Sequence, residues 1–233
     1  MANILLTGAS RGIGAAGRTA LTAAGHNVIG QSTAGADGLL AADFALPNAA
    51  DALWEQALAR AGGRIDVLVN NAGVFEPVDI ADPAAFAATW ARSHAINLQS
   101  AADLCRHAVL HFQQSGGGRI INIASRAGHR GDSPAHWHYA AAKGGMLAMT
   151  KSIARAYASQ NILAFAIAPG FTMTGMAEEY LSSRGGEKLL ADIPLGRVAG
   201  TDEVAETIRW LAADAPASLT GTTLDINGAS YVR

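Results

Sequence analysis

The sequence contains little of what marks secreted, fibrous or disordered proteins. Its 233 residues include a single cysteine, Cys105, so no disulfide can form within the chain, which fits a reducing cytoplasm. Only 15% of the residues are charged and 50% are hydrophobic, and these proportions exclude an intrinsically disordered chain. Seven prolines and 26 glycines are too few and too dispersed for a collagen-like or low-complexity protein. We therefore expect a globular, soluble, cytoplasmic protein.

The chain also lacks an excess of one charge and any long unbroken apolar run. Lys and Arg number 17 against 19 Asp and Glu, which leaves a net charge of −2 and no field to attract nucleic acid or an anionic membrane. No basic residue precedes the first apolar run, so we expect no export signal. The longest uncharged stretch, residues 156–177, is broken by Pro169 and Gly170 and cannot form one transmembrane helix. The expected partner is a small metabolite, with neither nucleic acid nor membrane.

Seven short apolar runs alternate with segments of helical period, a pattern typical of a parallel α/β sheet. The predicted strands are residues 3–7, 27–32, 39–43, 65–70, 119–125, 162–168 and 222–226. The predicted helices are residues 12–24, 48–61, 83–94, 100–114, 139–159 and 202–213. The second and third runs are too close together for a crossover helix, so a loop must join them. Because no repeat or linker divides the chain, we predict one domain over residues 1–233.

The predicted helix at residues 139–159 carries Ala, Gly and Met on nearly every face. A helix that is apolar all round must be covered on two sides. The sheet can cover one side, and we expect a partner subunit to cover the other. The alternative is a helix that is buried wholly within its own chain.

A glycine-rich turn, residues 7–14, follows the first strand and opens the first helix. Such a turn favours an anion, because backbone amides and the helix N-terminus point toward it. Gly8 permits a tight turn, Gly12 lets a pyrophosphate approach the main chain, and Gly14 lets the helix pack closely against the sheet. No Lys-Ser/Thr pair ends the turn, which argues against a nucleoside-triphosphatase loop. The alternative is a glycine turn without a ligand.

The motifs resemble those of the short-chain dehydrogenase/reductase family in identity, order and spacing. The motifs that carry this resemblance are Thr7-Gly8-x-x-x-Gly12-x-Gly14, Asn70-Asn71-Ala72-Gly73, Asn97, Ser125, Tyr139-x-x-x-Lys143, Pro169-Gly170 and residues 221–228. Residues 193–197 are most similar to the bacterial 3-oxoacyl-carrier-protein reductases. The resemblance implies a doubly wound Rossmann domain for dinucleotide binding and catalysis, with a seven-stranded parallel sheet of order 3-2-1-4-5-6-7 and helices on both faces. It also implies a homotetramer.

Four residues are predicted to be catalytic: Asn97, Ser125, Tyr139 and Lys143. Tyr139 and Lys143 lie four residues apart on one helical face, so the ammonium can approach the phenol and lower the pKa of Tyr139 from about 10. Ser125, at a strand end, can donate a hydrogen bond to a substrate oxygen. The resemblance implies that Asn97 holds a water in a proton relay through Lys143. Each residue alone also has an ordinary structural interpretation, and only their joint occurrence favours catalysis.

The remaining motifs are predicted to bind a nicotinamide dinucleotide. The glycine turn contributes Gly8, Ser10, Arg11, Gly12, Ile13 and Gly14, and Tyr139 and Lys143 also contact the cofactor. By resemblance, Asp43 and Phe44 meet the adenine, and Asn71, Ala72 and Gly73 pass beneath the adenosine. Pro169, Gly170, Thr172 and Thr174 contact the nicotinamide carboxamide. The alternative without a ligand is that Pro169-Gly170 is only a turn and Asp43 only a solvated residue at the end of a strand.

The end of the second strand predicts the choice of nicotinamide nucleotide. NADH-dependent relatives place an acidic residue where this chain has Ser32, and that carboxylate repels a 2′-phosphate. Ser32 and Thr33 can instead donate hydrogen bonds, and Arg11 resembles the basic residue that pairs with this phosphate. No second arginine follows Thr33. We predict a preference for NADP(H), with use of NAD(H) left open.

The substrate is the least determined feature of the sequence. Residues 126–138 precede Tyr139 and contain three histidines, His129, His136 and His138, whose spacing fits no structural zinc site, so we predict no metal. Trp137 offers an apolar wall, and residues 173–197 resemble the family's substrate lid. We predict an NADPH-dependent reductase or reversible alcohol dehydrogenase for a small carbonyl or alcohol.

Two alternatives to this prediction remain. The first is a 3-oxoacyl-carrier-protein reductase, although positions that are often basic in those enzymes match Gly116 and Gln160 here. The second is a nucleotide-binding relative without turnover, which the complete set of four predicted catalytic residues disfavours.

Overall fold

The computed structural model describes residues 1–173 and 186–233. The strands found there are β1 (Asn3–Leu6), β2 (Asn27–Ser32), β3 (Leu40–Ala41), β4 (Val67–Asn70), β5 (Gly118–Ile123), β6 (Ile162–Pro169) and β7 (Thr223–Ile226). The α-helices are α1 (Gly12–Ala23), α2 (Ala49–Arg60), α3 (Pro83–His94), α4 (Ser100–Ser115), α5 (Ala127–Arg130), α6 (Trp137–Tyr157), α7 (Gly186–Ala191) and α8 (Thr201–Ala213). A π-helical turn, Ala95–Gln99, joins α3 to α4.

The strands form one parallel sheet in the order β3-β2-β1-β4-β5-β6-β7, which confirms the predicted topology. In its centre, Leu5 of β1 lies between Ile29 of β2 and Leu68 of β4. Strand order reverses between β1 and β4, and in open α/β sheets ligands bind outside the carboxyl ends of the strands at such a point. The topology therefore locates the candidate site at the carboxyl edge beside β1 and β4.

Alternate residues of the central strands face opposite sides of the sheet, and each side is covered by helices. On one side Leu5, Leu68 and Ile120 pack with residues of α2, α4 and α6. On the other side Leu6 and Val69 pack with residues of α1 and α8. Burial on both faces explains why the strands read as continuous apolar runs.

The third strand was predicted at residues 39–43 but covers only Leu40–Ala41. The Ala42 amide still donates to the Ser32 carbonyl, whereas Asp43 begins a turn in which its carbonyl accepts the Leu46 amide. The Asp43 carboxylate also accepts the Ala45 amide at 2.9 Å. Local side-chain bonding therefore ends the edge strand early. As predicted, no helix joins β2 to β3.

Two further local features were not predicted. The π-helical turn fuses the predicted helices at residues 83–94 and 100–114 into one continuous helical segment. The short helix α5 lies in what was predicted to be a loop, and the Ser125 hydroxyl accepts the amide of its first residue, Ala127, at 3.1 Å. The π-helical turn contains Asn97 and α5 begins two residues after Ser125, both of which were predicted to be catalytic, and π-turns are frequent at functional sites.

Helix α6 begins two residues before its predicted start and ends two residues before its predicted end. Ala142, Met146 and Ile153 are buried within the chain, whereas Ala141 and Ala148 are exposed. The alternative of a helix buried wholly within its own chain is therefore wrong. No helix in residues 1–173 and 186–233 is long and apolar enough to cross a membrane.

Candidate active site

The predicted motifs meet at the carboxyl edge of the sheet. The glycine turn follows β1, Asn71 follows β4, Ser125 lies just beyond β5, and Gly170 follows β6. Because the strands are parallel, their carboxyl ends share one edge, and segments distant in sequence become neighbours. This arrangement creates a candidate site at the switch point of the sheet.

The glycine turn is shaped by positions that only glycine fits well. Gly8 and Gly12 have positive φ angles of 65° and 53°. A Cβ atom on Gly14 would lie 2.0 Å from the Gly8 carbonyl oxygen. Arg11, at the N-cap of α1, makes no side-chain cap, and the first turn of the helix has no acidic residue. The turn therefore presents a helix N-terminus without a competing carboxylate, which fits the pyrophosphate of a dinucleotide.

Two side-chain amides hold this turn: Gln31, which is buried and which the sequence analysis did not single out, and Asn71, which is partly buried and was predicted to have another role. Gln31 Oε1 accepts the Gly8 amide at 2.8 Å, and its Nε2 donates to the Ala42 carbonyl at 2.7 Å. Asn71 Nδ2 donates to the carbonyls of Thr7 and Gly8 at 2.9 and 3.1 Å. Gln31 was missed, although a glutamine in an apolar strand was a visible signal. The Asn71 side chain thus fastens the turn, and this contact is separate from its predicted role beneath the adenosine.

Tyr139, Ser125 and Lys143 are brought together at the start of α6. Lys143 is 3% exposed, and its ammonium donates to the Ile123 carbonyl at 2.7 Å and lies 5.8 Å from the centre of the Tyr139 ring. Tyr139 and Ser125 share a side-chain hydrogen bond. A phenol, a hydroxyl and an ammonium therefore converge in one small volume.

Asn97 lies in the π-helical turn and is fully buried. Its Oδ1 accepts the Val74 amide at 2.9 Å, and its Nδ2 donates to the Val74 carbonyl at 3.0 Å and to Ser93 Oγ at 2.9 Å. A Cβ atom on Gly73 would lie 2.8 Å from Asn97 Oδ1 and 3.6 Å from Lys143 Nζ. Asn97 therefore borders the same volume as Lys143, while its side chain fixes the segment after β4.

Lys143 was expected from the sequence to lower the pKa of Tyr139, and this expectation is wrong for the structure. Burial raises the pKa of Tyr139 to about 12, and the hydrogen bond from Ser125 offsets only part of that effect. Burial lowers the pKa of Lys143 to about 8. Desolvation disfavours both charged forms and outweighs their proximity. At neutral pH, Tyr139 is thus a protonated phenol that can donate its proton, and Lys143 is charged.

The lowered pKa of Lys143 predicts how the stability of the fold depends on pH. The pKa of Lys143 is about 8 in the folded chain and about 10.5 when the chain is unfolded. Between these values the unfolded chain binds more protons, so the free energy of unfolding should rise with pH. From pH 7 to 10.5, the free energy of unfolding of wild type should rise by about 3 kcal/mol more than that of Lys143→Met. Urea unfolding of both proteins across this pH range measures the difference.

The comparison with Lys143→Met is needed because other groups act in the opposite direction. Burial also raises the pKa of Cys105 from 9.0 to about 12, which lowers stability above pH 9 in both proteins. The difference between wild type and variant removes this shared effect. A difference that stays constant from pH 7 to 10.5 would contradict the assigned Lys143 pKa.

The residues predicted to contact the adenosine half lie near the glycine turn. Ser32 is buried, and its hydroxyl accepts the Gly35 amide at 3.0 Å, whereas Thr33 is exposed. Arg11 is exposed and has no ion-pair partner within the described chain. Phe44 is buried in the core, so its side chain supports the sheet. Asp43 is partly buried and accepts the Ala45 amide.

A second arginine near this region was missed by the sequence analysis. Arg18 lines a cavity of about 550 Å³ together with Ser10, Asp37 and Leu39. Its guanidinium donates to the Asp37 carbonyl at 3.4 Å. Arg18 lies on α1 seven residues after Arg11, which is two helical turns along the same face and was the available signal. A second cationic side chain is therefore close to the glycine turn.

The nicotinamide side of the predicted site is described only in part. The Gly170 amide donates to the Ile226 carbonyl at 2.8 Å, and a Cβ atom there would lie 2.8 Å from Asn227 Cβ. The Pro169 carbonyl accepts the Arg126 amide. Thr172 is buried, and its hydroxyl donates to the Gly170 carbonyl at 3.2 Å. Thr174 and most of the predicted lid at residues 173–197 lie outside the described residues.

The three histidines before Tyr139 contact different neighbours. His129 stacks on Tyr231 and lies 3.7 Å from Asp225, whereas His136 stacks on Phe75. His138 is buried at the start of α6. Within residues 1–173 and 186–233, no three His, Cys, Asp or Glu residues are grouped closely enough to hold a metal ion.

Comparisons with known proteins agree with this architecture. A family profile described as enoyl-(acyl carrier protein) reductase matches residues 8–229. The chain is 36% identical to a 3-oxoacyl-(acyl-carrier-protein) reductase of Escherichia coli, over 98% of this chain and 96% of that protein. It is 39% identical to a protein of the same name from a Synechocystis species, over 96% of this chain and 94% of that protein. It is also 35% identical to nodulation protein G of Rhizobium meliloti, over 82% of this chain and 76% of that protein. With its parallel sheet and its motifs in the family's order, the chain belongs to the short-chain dehydrogenase/reductase family of oxidoreductases.

Proposed function

We propose that the protein interconverts a ketone and a secondary alcohol with NADP(H) as the cofactor. The observation that carries this proposal is the convergence of Tyr139, Ser125 and Lys143 beside a glycine turn built for a pyrophosphate. A protonated phenol, a hydroxyl donor and a buried ammonium form a suitable set for delivering one proton to a carbonyl oxygen. A nucleotide-binding relative without turnover would not need this arrangement.

Each side chain has a distinct task in the proposed reaction. The chemistry that NADP(H) supplies when bound is the transfer of a hydride to or from the substrate carbon. During reduction, Tyr139 donates its proton to the carbonyl oxygen, and Ser125 donates a hydrogen bond to the same oxygen. The Lys143 charge stabilises the phenolate that Tyr139 leaves behind. Asn97 keeps the segment after β4 in place beside Lys143, and the relay water that family resemblance assigns to it remains part of the proposal.

The cofactor-binding residues of the proposal are those predicted from the sequence. Gly8, Gly12 and Gly14 shape a turn that admits a pyrophosphate, and this supports a dinucleotide. The end of β2 carries Ser32 in place of a carboxylate, and Arg11 is exposed and unpaired in the described chain. These features favour a 2′-phosphate, so we propose NADP(H) rather than NAD(H) as the preferred form.

Two substitutions test the cofactor preference. Arg11→Ala should weaken NADPH binding by about 1.5–3 kcal/mol and leave NADH binding unchanged, because only the 2′-phosphate pairs with the guanidinium. Ser32→Asp should shift the ratio of kcat/KM toward NADH, because its carboxylate repels the phosphate. Binding of both nucleotides is measured by calorimetry, with Arg106→Ala as a matched exposed control on α4. Equal losses for the two nucleotides would contradict the assignment.

The second candidate function is reduction of a 3-oxoacyl group on an acyl carrier protein. The names of the relatives from Escherichia coli and Synechocystis favour it. The departure is at the surface: two positions that are often basic in such enzymes match Gly116 and Gln160 here. An acidic carrier needs basic residues at its docking surface, so we place this candidate second.

One assay separates the candidates. The purified protein is incubated with NADPH and, in turn, a panel of free ketones and an acetoacetyl group on its carrier protein, and nucleotide oxidation is followed. The proposed function predicts turnover of free ketones at rates that the carrier does not improve. A large preference for the carrier-bound substrate would favour the second candidate, and absence of all turnover would favour a nucleotide-binding protein without catalysis.

The assembly and location remain proposals. Ala141 and Ala148 of α6 and Leu110 of α4 are exposed apolar residues on neighbouring helices, and a partner subunit would cover them. We propose a homotetramer located in the cytoplasm, organised as one domain. Sedimentation should give a mass four times that of the 23.9 kDa chain, and a monomer at micromolar concentration would rule out the tetramer.

A further inference from the structure

An aromatic shelf lies beside the proposed proton donor. The ring of Phe75 contacts Tyr139 edge to face, with 4.9 Å between centroids and an interplanar angle of 80°. His136 stacks on Phe75 in parallel, with 3.8 Å between centroids. Phe75 is nevertheless 38% exposed. His136 covers one face of Phe75, so the exposed part of the ring lies elsewhere, beside the Tyr139 side chain proposed to deliver the proton.

The backbone around the shelf is fixed on both sides. Asn97 bonds the amide and the carbonyl of Val74, immediately before Phe75. Three residues after Phe75, the Val78 amide donates to the Ala135 carbonyl, which precedes His136. The Ser133 hydroxyl also hydrogen-bonds His136 Nδ1 at 2.7 Å. The two stacked rings are therefore held by both of the segments that carry them, and the shelf is preorganised for a ligand.

The aromatic surface continues away from Tyr139. Trp137 follows His136, is 49% exposed, and meets Phe86 of α3 edge to face at 6.1 Å. Phe86 in turn lies 5.7 Å from Trp90, which is also exposed. Exposed aromatic side chains are therefore found both beside the proposed acid and on α3, and aromatic rings favour other rings beyond simple burial of area.

The charges around this surface are balanced. Arg92 pairs with Glu76 at 3.3 Å, Arg126 and Arg130 both pair with Asp192, and Asp132 also acts on Arg126, so three carboxylates face three arginines. Burial lowers the pKa of His136 below its ordinary value, so this imidazole is neutral at pH 7. Neither the paired arginines nor a neutral imidazole offers a strong site for an anion. The shelf therefore suits an uncharged, planar ligand.

We infer that the substrate of the proposed reaction is a neutral aryl ketone, or the matching secondary alcohol, whose ring stacks on Phe75. This inference rests on the proposed function. In reduction, the carbonyl carbon gains a hydride from NADPH, the oxygen gains the Tyr139 proton, and NADP⁺ and the alcohol are formed. Phe75 acts as a specificity-determining residue: its ring positions the aryl group while the carbonyl oxygen reaches Tyr139 and Ser125.

The test compares two ketones that differ only in the ring. Phenyl methyl ketone and cyclohexyl methyl ketone have the same carbon skeleton, and comparison across variants cancels their different intrinsic reactivities. Phe75→Leu should lower kcat/KM for the phenyl ketone about 3- to 10-fold more than for the cyclohexyl ketone. Phe75→Tyr keeps the ring and should retain the wild-type ratio. Equal losses for the two ketones would overturn the inference.

A binding measurement keeps the inference separate from the proposed function. Each ketone is titrated into the wild-type protein with NADP⁺, where no reduction can occur, and binding is followed by ligand-observed NMR. The phenyl ketone should bind several-fold more tightly than the cyclohexyl ketone, and equal affinity would overturn the inference even if both are turned over. Tight ring binding without any turnover would instead contradict the proposed function. If Phe75→Leu fails to fold, this comparison on wild type alone decides the inference.

Discussion

Replacing Tyr139 with phenylalanine should lower kcat for ketone reduction by about 10²- to 10⁴-fold. The substitution removes the phenolic proton of Tyr139 while it keeps the ring that contacts Phe75. With its pKa raised to about 12, Tyr139 is fully protonated at neutral pH, so the lost group is an available acid. The rate is measured with NADPH and a ketone that wild type reduces.

A matched control is available on the same helix. Tyr157 lies at the end of α6, away from Ser125 and Lys143, and Tyr157→Phe should leave kcat unchanged. The affinity of Tyr139→Phe for NADPH should stay close to that of wild type, because the substitution removes only a hydroxyl. A kcat within about threefold of wild type would show that another group delivers the proton.

Gly14→Ala should abolish useful cofactor binding and destabilise the fold. The new methyl group would lie 2.0 Å from the Gly8 carbonyl and 2.6 Å from Asn71 Nδ2, so the turn and its Asn71 clamp must both move. Overpacking of this kind costs about 1–3 kcal/mol of the free energy of unfolding. If two hydrogen bonds from backbone amides to the charged phosphate are lost, the affinity for the dinucleotide should fall by about 10²-fold or more.

Gly17→Ala is the control, one turn further along α1. A methyl group there would meet Ile208 Cδ1 at 3.5 Å and Leu6 Cδ2 at 3.9 Å, which are ordinary contacts. Because alanine favours a helix interior over glycine, this variant should gain up to about 1 kcal/mol of stability and keep its cofactor affinity. Denaturant unfolding and calorimetric titration of both variants check the pair. Similar behaviour of Gly14→Ala and Gly17→Ala would contradict the proposed cradle.

Some features of the site were not accessible from the sequence, and the reasons are physical. The spacing of Tyr139 and Lys143 indicated that they lie close together. Whether the pKa of Tyr139 is raised or lowered depends on its burial, which only the packed structure determines. Gln31 stood out as a polar residue in an apolar strand, but its partner Gly8 lies 23 positions away, so their hydrogen bond exists only in the folded chain. The aromatic shelf joins Phe75 to His136 across 61 positions, and no local pattern reports such a contact.

The sequence by itself determined the parallel sheet, because apolar periodicity and the glycine turn are local properties of the chain, and the resemblance of its motifs to the family implied the strand order. The resemblance of its motifs to the family also predicted Tyr139, Lys143, Ser125 and Asn97 as a catalytic set. Only the tertiary structure decided that Asn97 bonds the Val74 backbone and that Tyr139 is held protonated. The tertiary structure also places the partly exposed ring of Phe75 against the phenol of Tyr139. Those properties arise from burial and from contacts between distant segments, which exist only after the chain has folded.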